Sequence, residues 1–192
     1  MTAELTGSPR ERILNTATEL FYAGGLRAVG IDLIIARAQV AKASFYRHFP
    51  AKDDLIVAFL EKQDQDWSSW LGLRVEALAP DPKDRPLAIF DAVAERCESG
   101  DFRGCPFINA VVEVADPSHP AHLAAARHRA SNTNQLAAIL DGAGWEGAKL
   151  APAFALLVDG ALVTALQEPG REPADRARSL AELLLTSESV GS

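Results

Sequence analysis

Cysteine and strand-forming stretches are what this sequence most lacks. Only Cys97 and Cys105 occur in 192 residues. Their spacing fits neither a disulfide framework nor a zinc ribbon, so reduced thiols in a cytoplasmic protein are expected. Runs that alternate apolar and polar residues between turn signals are nearly missing, which excludes sandwiches, barrels and open sheets. The longest apolar run, Leu150 to Leu166, is broken by Pro152 and Asp159 and falls short of a bilayer span, so a buried helix and no membrane segment are expected. The opening MTAELTGSP has no basic stretch followed by an apolar one, and no secretory signal is expected. A glycine-rich phosphate loop, a nucleophile elbow, a zinc motif and a carboxylate pair at informative spacing are all missing. Neither an enzyme nor a cofactor or metal site is therefore expected.

What is present is helical punctuation and an uneven charge. Apolar residues make up 48% of the chain and charged ones 23%, an ordinary globular balance, with a net charge of −7. Residues 1 to 60 hold seven Lys/Arg and six Asp/Glu, a balance of +1, so all the acidity lies further on. Such asymmetry suggests parts with different partners. Ser8-Pro9-Arg10-Glu11 is a capping box with proline at the first helical position. Ile13, Ala17 and Phe21, with Leu14 and Leu20 beside them, draw one apolar stripe that Gly24-Gly25 ends. A short helix from about Ile31 to Ala38 turns Ile31, Ile34, Ile35 and Ala38 inward. Gln39-Val40 reads as a tight turn. A third helix runs from Lys42 to about His48, stopped by Pro50. A fourth starts near Lys52, where Asp53 and Asp54 suit the helix dipole, and continues past Trp70. Further helices are expected at 84–98, 105–115, 119–141, 147–167 and 173–187. The fold class is all-α: a three-helix head with a helix-turn-helix, joined to an all-helical ligand-binding and dimerisation body. The boundary is set at residues 1–56 for the DNA-binding domain and 57–192 for the body.

The densest chemistry lies in AKASFYRHFPAKDDL, residues 41 to 55. Two short helices joined by a tight turn form the unit whose second helix enters the DNA major groove. Phe45 and Phe49 share a face and would close the small core with Val40, Ile34 and Ile35. Lys42, Ala43 and Ser44 then begin the reading helix, where side chains meet base edges. Tyr46, Arg47 and His48 project elsewhere around it, toward backbone phosphates. Lys52 stands at the next helix N-terminus, where free N–H groups already favour an anion.

The stretches RILNTATELFYAGG, IDLIIARAQVAKASFYRHF and AKDDL resemble the N-terminal DNA-binding domain of the TetR/AcrR family of bacterial transcriptional regulators. The Tyr-Arg-His-Phe tetrad with a lysine shortly after it is the most specific part. The resemblance implies an all-α homodimer that binds double-stranded DNA at a palindromic operator and is released by a small-molecule effector bound in the body. It assigns Tyr46, His48 and Lys52 to phosphate contact and Lys42, Ala43 and Ser44 to the groove. Three positions depart from the family pattern. Gln39 replaces the usual turn glycine, at a cost of roughly 1–2 kcal/mol for a left-handed residue. Gly30 stands where Ser or Thr usually caps the second helix. Ala51 replaces a capping Ser or Asn, which weakens that helix start by about 1 kcal/mol.

In the body, Phe107, Val111 and Val114 share one helical face, and Asn109 and Glu113 lie on another as candidate polar handles of a ligand pocket. Trp67, Trp70, Phe90 and Phe154 are candidate pocket walls as well as core. APAFALLVDGALVTAL is apolar nearly all round, and Ala155, Gly160, Ala161 and Thr164 would let another helix approach. With the stripe Leu180, Leu183 and Leu184, the last two helices are expected to form the homodimer face. Asp159 inside that run must find a partner, in a pocket or across the dimer. Asp116, His119, His122 and His128 could suggest a metal, but Pro117 and Pro120 make the segment a loop leading into a helix, so helix-start chemistry is the reading. Two other functions compete with the regulator: an enzyme or small-molecule carrier, and a dimeric interaction protein whose head no longer binds DNA. Retention of Tyr46, His48 and Lys52 speaks against the second.

Overall fold

The computed structural model describes residues 7–190. Residues 1–6, where the lack of a secretory signal was read, and residues 191–192 lie outside the described part. Nine α-helices and no strand occur among the described residues, as expected for an all-α chain. They are α1 (Pro9–Gly24), α2 (Ile31–Ala38), α3 (Lys42–His48), α4 (Lys52–Leu78), α5 (Arg85–Glu98), α6 (Pro106–Glu113), α7 (Pro120–Gly142), α8 (Gly147–Thr164) and α9 (Glu172–Val190). A 3-10 turn, Pro82–Asp84, precedes α5 and was not foreseen; Asp81 caps it by accepting from the Lys83 N–H at 3.0 Å.

The chain forms two compact units. One runs up to Asp64 and takes in Pro106–Ala126; the other holds Gln65–Cys105 and the chain from Arg127 onward. Thus α4 and α7 each contribute to both.

In the first unit, the capping box starts α1 as read: Ser8 N–H donates to Glu11 Oε2 at 2.7 Å, and Glu11 N–H donates to Ser8 Oγ at 3.3 Å. The α1 stripe is buried at Ile13, Ala17 and Phe21. From α2 come Ile34 and Ala38, from α3 Phe45, and beyond them Phe49, Leu55 and Phe59. Phe21 and Phe59 meet edge-on with ring centroids 5.6 Å apart. Gln39 has φ 51° and ψ 52°, the left-handed conformation expected of the turn. Its carbonyl accepts from Arg12 Nη2 of α1 at 3.4 Å, which ties the turn to the first helix. Gly30 caps α2 without a side-chain bond. Ala51 is partly compensated: its N–H donates to Asp54 Oδ2 at 2.9 Å, half of a capping box.

One expected face is different. Phe107 is buried, but its companion is Ala110, fully buried, whereas Val111 is 38% exposed and Val114 half-buried. A helix of eight residues buries a narrow stripe, and here the i, i+3 pair fills it.

In the second unit, α9 packs against both α5 and α8. Small buried residues on α9, Ala174, Ala177 and Ala181, allow that approach. Phe90 and Phe154 are fully buried, with rings 5.5 Å apart. Ala155 and Ala161, read as room for a partner helix, are covered within the chain itself, while Leu156 and Val163 on α8 are exposed. Helix α8 is long and apolar enough by composition to cross a membrane, and 44% of that stretch is buried inside the protein. A two-pronged bond ties α4 to α5: Arg74 Nε and Nη2 donate to Glu95 at 2.5 and 2.6 Å.

Two stability predictions follow from this packing. Gln39→Gly should raise unfolding free energy by about 1 kcal/mol, since it removes left-handed strain at the cost of some chain entropy; an unchanged or lower urea midpoint would contradict the strained turn. The hydrogen bond from Arg74 holds the Glu95 carboxyl below its usual range. A depressed carboxylate stabilises above its unfolded pKa and loses that contribution as pH falls through the folded value. Glu95→Gln should therefore lower the melting temperature at neutral pH, with the gap closing as pH falls through the lowered folded pKa of Glu95.

Candidate nucleic-acid interface

Helix α3 is amphipathic over seven residues. Phe45 is fully buried and Phe49 3% exposed, so the opposite side of the helix faces outward. Lys42, Ala43, Tyr46 and Arg47 are exposed; Ser44 and His48 are half-buried. Tyr46 is 42% exposed, and its ring stands edge-on to Phe45 with centroids 5.3 Å apart. That contact holds the ring while leaving its surface-facing part open to a partner. Arg47 Nη2 donates to Ser44 Oγ at 3.4 Å. Lys42 Nζ lies 3.4 Å from Asp32 Oδ1 of α2, an exposed pair of little stabilising value.

Lys52 opens α4, half-buried, with its ammonium 5.9 Å from the centre of the Phe21 ring. The alkyl stem thus lies on the core while the charge stays at the helix N-terminus. The seven residues expected to meet DNA lie on α3 and the first position of α4. Sequence reasoning missed Arg10, whose guanidinium lies 5.3 Å from the centre of the Phe49 ring. Its proximity to the capping box was the available signal. Asp32, which pairs with Lys42, was missed too.

The helix-turn-helix unit has a second set of fixings. Glu113, at the end of α6, accepts from the Arg27 N–H at 2.9 Å in the α1–α2 connection. His119 accepts from the Ala121 N–H through Nδ1 at 3.1 Å, starting α7, while Nε2 lies 3.3 Å from Asp53 Oδ1. His122 bonds the Val114 carbonyl oxygen. Helix-start chemistry therefore occupies these histidines. No group of three or more His, Cys, Asp or Glu placed to hold a metal occurs among the described residues.

The residues expected to line a ligand pocket are divided. Phe107, Asn109 and Glu113 belong to the unit of the helix-turn-helix. Trp67 and Trp70 lie side by side, half-buried, with rings 5.3 Å apart. Trp67 Nε1–H donates to Asn132 Oδ1 of α7 at 3.0 Å. One turn along, Gln135 Nε2 donates to the Ser68 carbonyl at 2.8 Å, and Gln135 Oε1 is buried with no hydrogen-bond partner. Phe90 and Phe154 are fully buried and pack on each other. Asp159 forms an ion pair with Arg129 of α7. Burial pushes its carboxyl up, and the Arg129 guanidinium opposes that shift. Asn132, Gln135 and Arg129 escaped sequence reading, although polar residues crowd the middle of α7 between Arg129 and Gln135. Both cysteines are buried and in no disulfide, and burial pushes the Cys97 thiol up to about 11.

A capped three-helix unit with this exposed reading face, joined to an all-helical remainder, defines a helix-turn-helix DNA-binding protein. Residues 13–59 match the model of the bacterial regulatory proteins of the tetR family. The crystal structure of SCO4454, a TetR-family transcriptional regulator from Streptomyces coelicolor, superposes with a TM-score of 0.83 at 33% identity, covering 93% of this chain and 95% of that one. The transcriptional regulator YjdC of Escherichia coli K12 is 25% identical over 182 residues, 92% of this chain and 93% of YjdC. The transcriptional repressor NemR of the same organism is 29% identical over 110 residues, 57% of this chain and 55% of NemR, so that match spans little over half of NemR's length. The chain belongs to the TetR family of transcriptional regulators. It is a DNA-binding regulator and not an enzyme.

Substitutions on the outward side of α3 and at the start of α4 should separate two kinds of contact. Tyr46→Phe and Lys52→Ala should weaken binding to all duplexes alike, with Lys52→Ala lowering the salt slope by about one. Lys42→Ala and Ser44→Ala should instead change which sequences bind best. Gel-shift titrations at several salt concentrations distinguish the two patterns; a change of preference from Lys52→Ala would contradict the assignment.

Proposed function

We propose that the chain is a repressor: a homodimer that occupies a palindromic operator and leaves it when a small-molecule effector binds the body. The domain division in this reading is residues 1–56 for DNA and 57–192 for effector and partner. The observation that carries it is the outward side of α3, which offers Lys42, Ala43, Tyr46 and Arg47 while Phe45 is closed in. Arg47 and His48 would join Tyr46 and Lys52 on phosphates, fixing register, while Lys42, Ala43 and Ser44 read bases. The name of NemR, a repressor, supports the direction of control.

Dimerisation through α8 and α9 is supported by the apolar side chains these helices leave exposed. Leu156 is 67% exposed, Leu183 65% and Leu180 52%. Large apolar side chains exposed on two neighbouring helices suit a partner face. A two-fold pair of α8–α9 faces would set two reading heads about 34–36 Å apart, one turn of DNA. The effector would lie against Trp67, Trp70 and Asp159, with Phe90 and Phe154 behind them. The unpaired Gln135 Oε1 beside Trp67's helix is a polar handle suited to such a ligand. Effector and DNA would oppose each other by a coupling of typically about 1–3 kcal/mol.

Leu180→Glu with Leu183→Glu should convert the dimer to a folded monomer and abolish operator binding. Sedimentation equilibrium with circular dichroism checks both parts. A variant that stays dimeric, or a monomer that keeps wild-type affinity, would contradict the proposed interface.

A further inference from the structure

A cavity of ≈ 490 Å³ lies wholly within the second unit, and none of the residues assigned above to DNA or effector lines it. Its size falls in the range that holds a small organic ligand. Leu78 at the end of α4, Leu87 on α5 and Leu185 on α9 give it an apolar lining, and Trp145 forms one flank. Around these stand Asp84, Asp91, Glu182, Lys83 and Arg178.

Trp145 is held there by the backbone. Gly144 ends α7 at φ 89°, a left-handed position, and the Trp145 N–H returns to the Leu140 carbonyl at 3.0 Å, the closing bond of a Schellman turn. Two residues on, a Cβ at Gly147 would sit 2.3 Å from the Ala137 carbonyl oxygen, and its N–H donates to Asp141 Oδ1 at 2.8 Å. The α7–α8 corner thus has one geometry, and the half-buried indole is presented at a fixed place.

The charges are unequal. Arg178 is paired with Asp91 at 3.5 Å, so that pair is internally neutral. Asp84 and Glu182 have no ion pair among the described residues, and against their two carboxylates stands Lys83 alone. On α9, Arg178, Glu182 and Leu185 share one side, at the i, i+4 and i+7 positions, while the exposed Leu180 and Leu183 lie on the other. The cavity and the proposed dimer face therefore use opposite sides of the same helix.

We propose that this cavity is a ligand site for an amphipathic organic cation: an ammonium or quaternary amine carried on an aromatic or branched aliphatic body. The charged head sits on the face of Trp145, within reach of Asp84 and Glu182. The hydrocarbon part covers Leu78, Leu87 and Leu185. Lys83, exposed at the rim, opposes the charge of the ligand. The site is independent of the regulator's DNA reading and of the effector contacts proposed for Trp67 and Asp159.

The test is calorimetric titration of the full chain, without DNA, with benzyltrimethylammonium, and with benzoate as the ring of opposite charge. One saturable site per chain for the cation and none for benzoate is expected. Asp84→Asn combined with Glu182→Gln should weaken cation binding roughly tenfold, and Trp145→Ala should do the same. Lys83→Ala should tighten it, a gain that no misfolded variant can imitate. Circular dichroism confirms that each variant is folded. The proposal is overturned if the cation fails to bind, if benzoate binds equally well, or if folded Trp145→Ala and the double carboxamide variant bind the cation as the natural chain does.

Discussion

Burial of Phe45 decides which side of α3 faces outward, and the DNA-binding role depends on that choice. Rotating the helix far enough to bring Tyr46 inside would expose a fully buried phenylalanine, at a cost of about 1.5–3 kcal/mol. Phe49, just past the end of α3, adds a second anchor with its ring centroid 6.3 Å from that of Phe45. A seven-residue helix has little stability of its own, so these anchors and the Gln39 turn supply what propensity cannot. The outward side is free to carry whatever chemistry the partner requires, because the inward side has already fixed the geometry.

Around that core the polar contacts act as fasteners between segments distant in sequence. The Glu113 carboxylate takes the Arg27 N–H, and His119 meets Asp53 one residue beyond Lys52. Both tie the α6–α7 stretch to the helix-turn-helix within one unit. Each is partly exposed, so its value is orientation more than stability. In the second unit the two-pronged Arg74–Glu95 bond and the Arg129–Asp159 pair join helix to helix in the same manner. Asp159 shows why such a fastener is needed: a half-buried carboxylate in an apolar helix is costly without a cation beside it.

Local signals were legible where they are strong. The Ser8–Glu11 capping box, the stripe Ile13, Ala17 and Phe21, and the start of α3 at Lys42 are each determined by neighbours a few residues away, and each lies where the sequence indicated. The left-handed Gln39 was legible too, because a tight turn leaves few backbone alternatives. What was hidden is long-range. Nothing local in PFINAVVE says that it groups with α1–α3, or that Ala110 and not Val111 accompanies Phe107 inward. Asn132 and Gln135 became visible only when α7 was laid against Trp67 and Ser68. Trp145 drew no notice in sequence, since a lone tryptophan after a glycine turn reads as a loop anchor until the walls opposite it are known.

The central claim is that a rigid outward face on α3, doubled by two-fold pairing of chains, reads two half-sites one turn apart. Selection by the natural chain from a random-sequence duplex library tests it directly. Enrichment of an inverted repeat, with half-site centres separated by about 10 base pairs or a multiple of that, is the predicted result. Recovery of an unpaired half-site, or no enrichment at any salt concentration, would contradict the account.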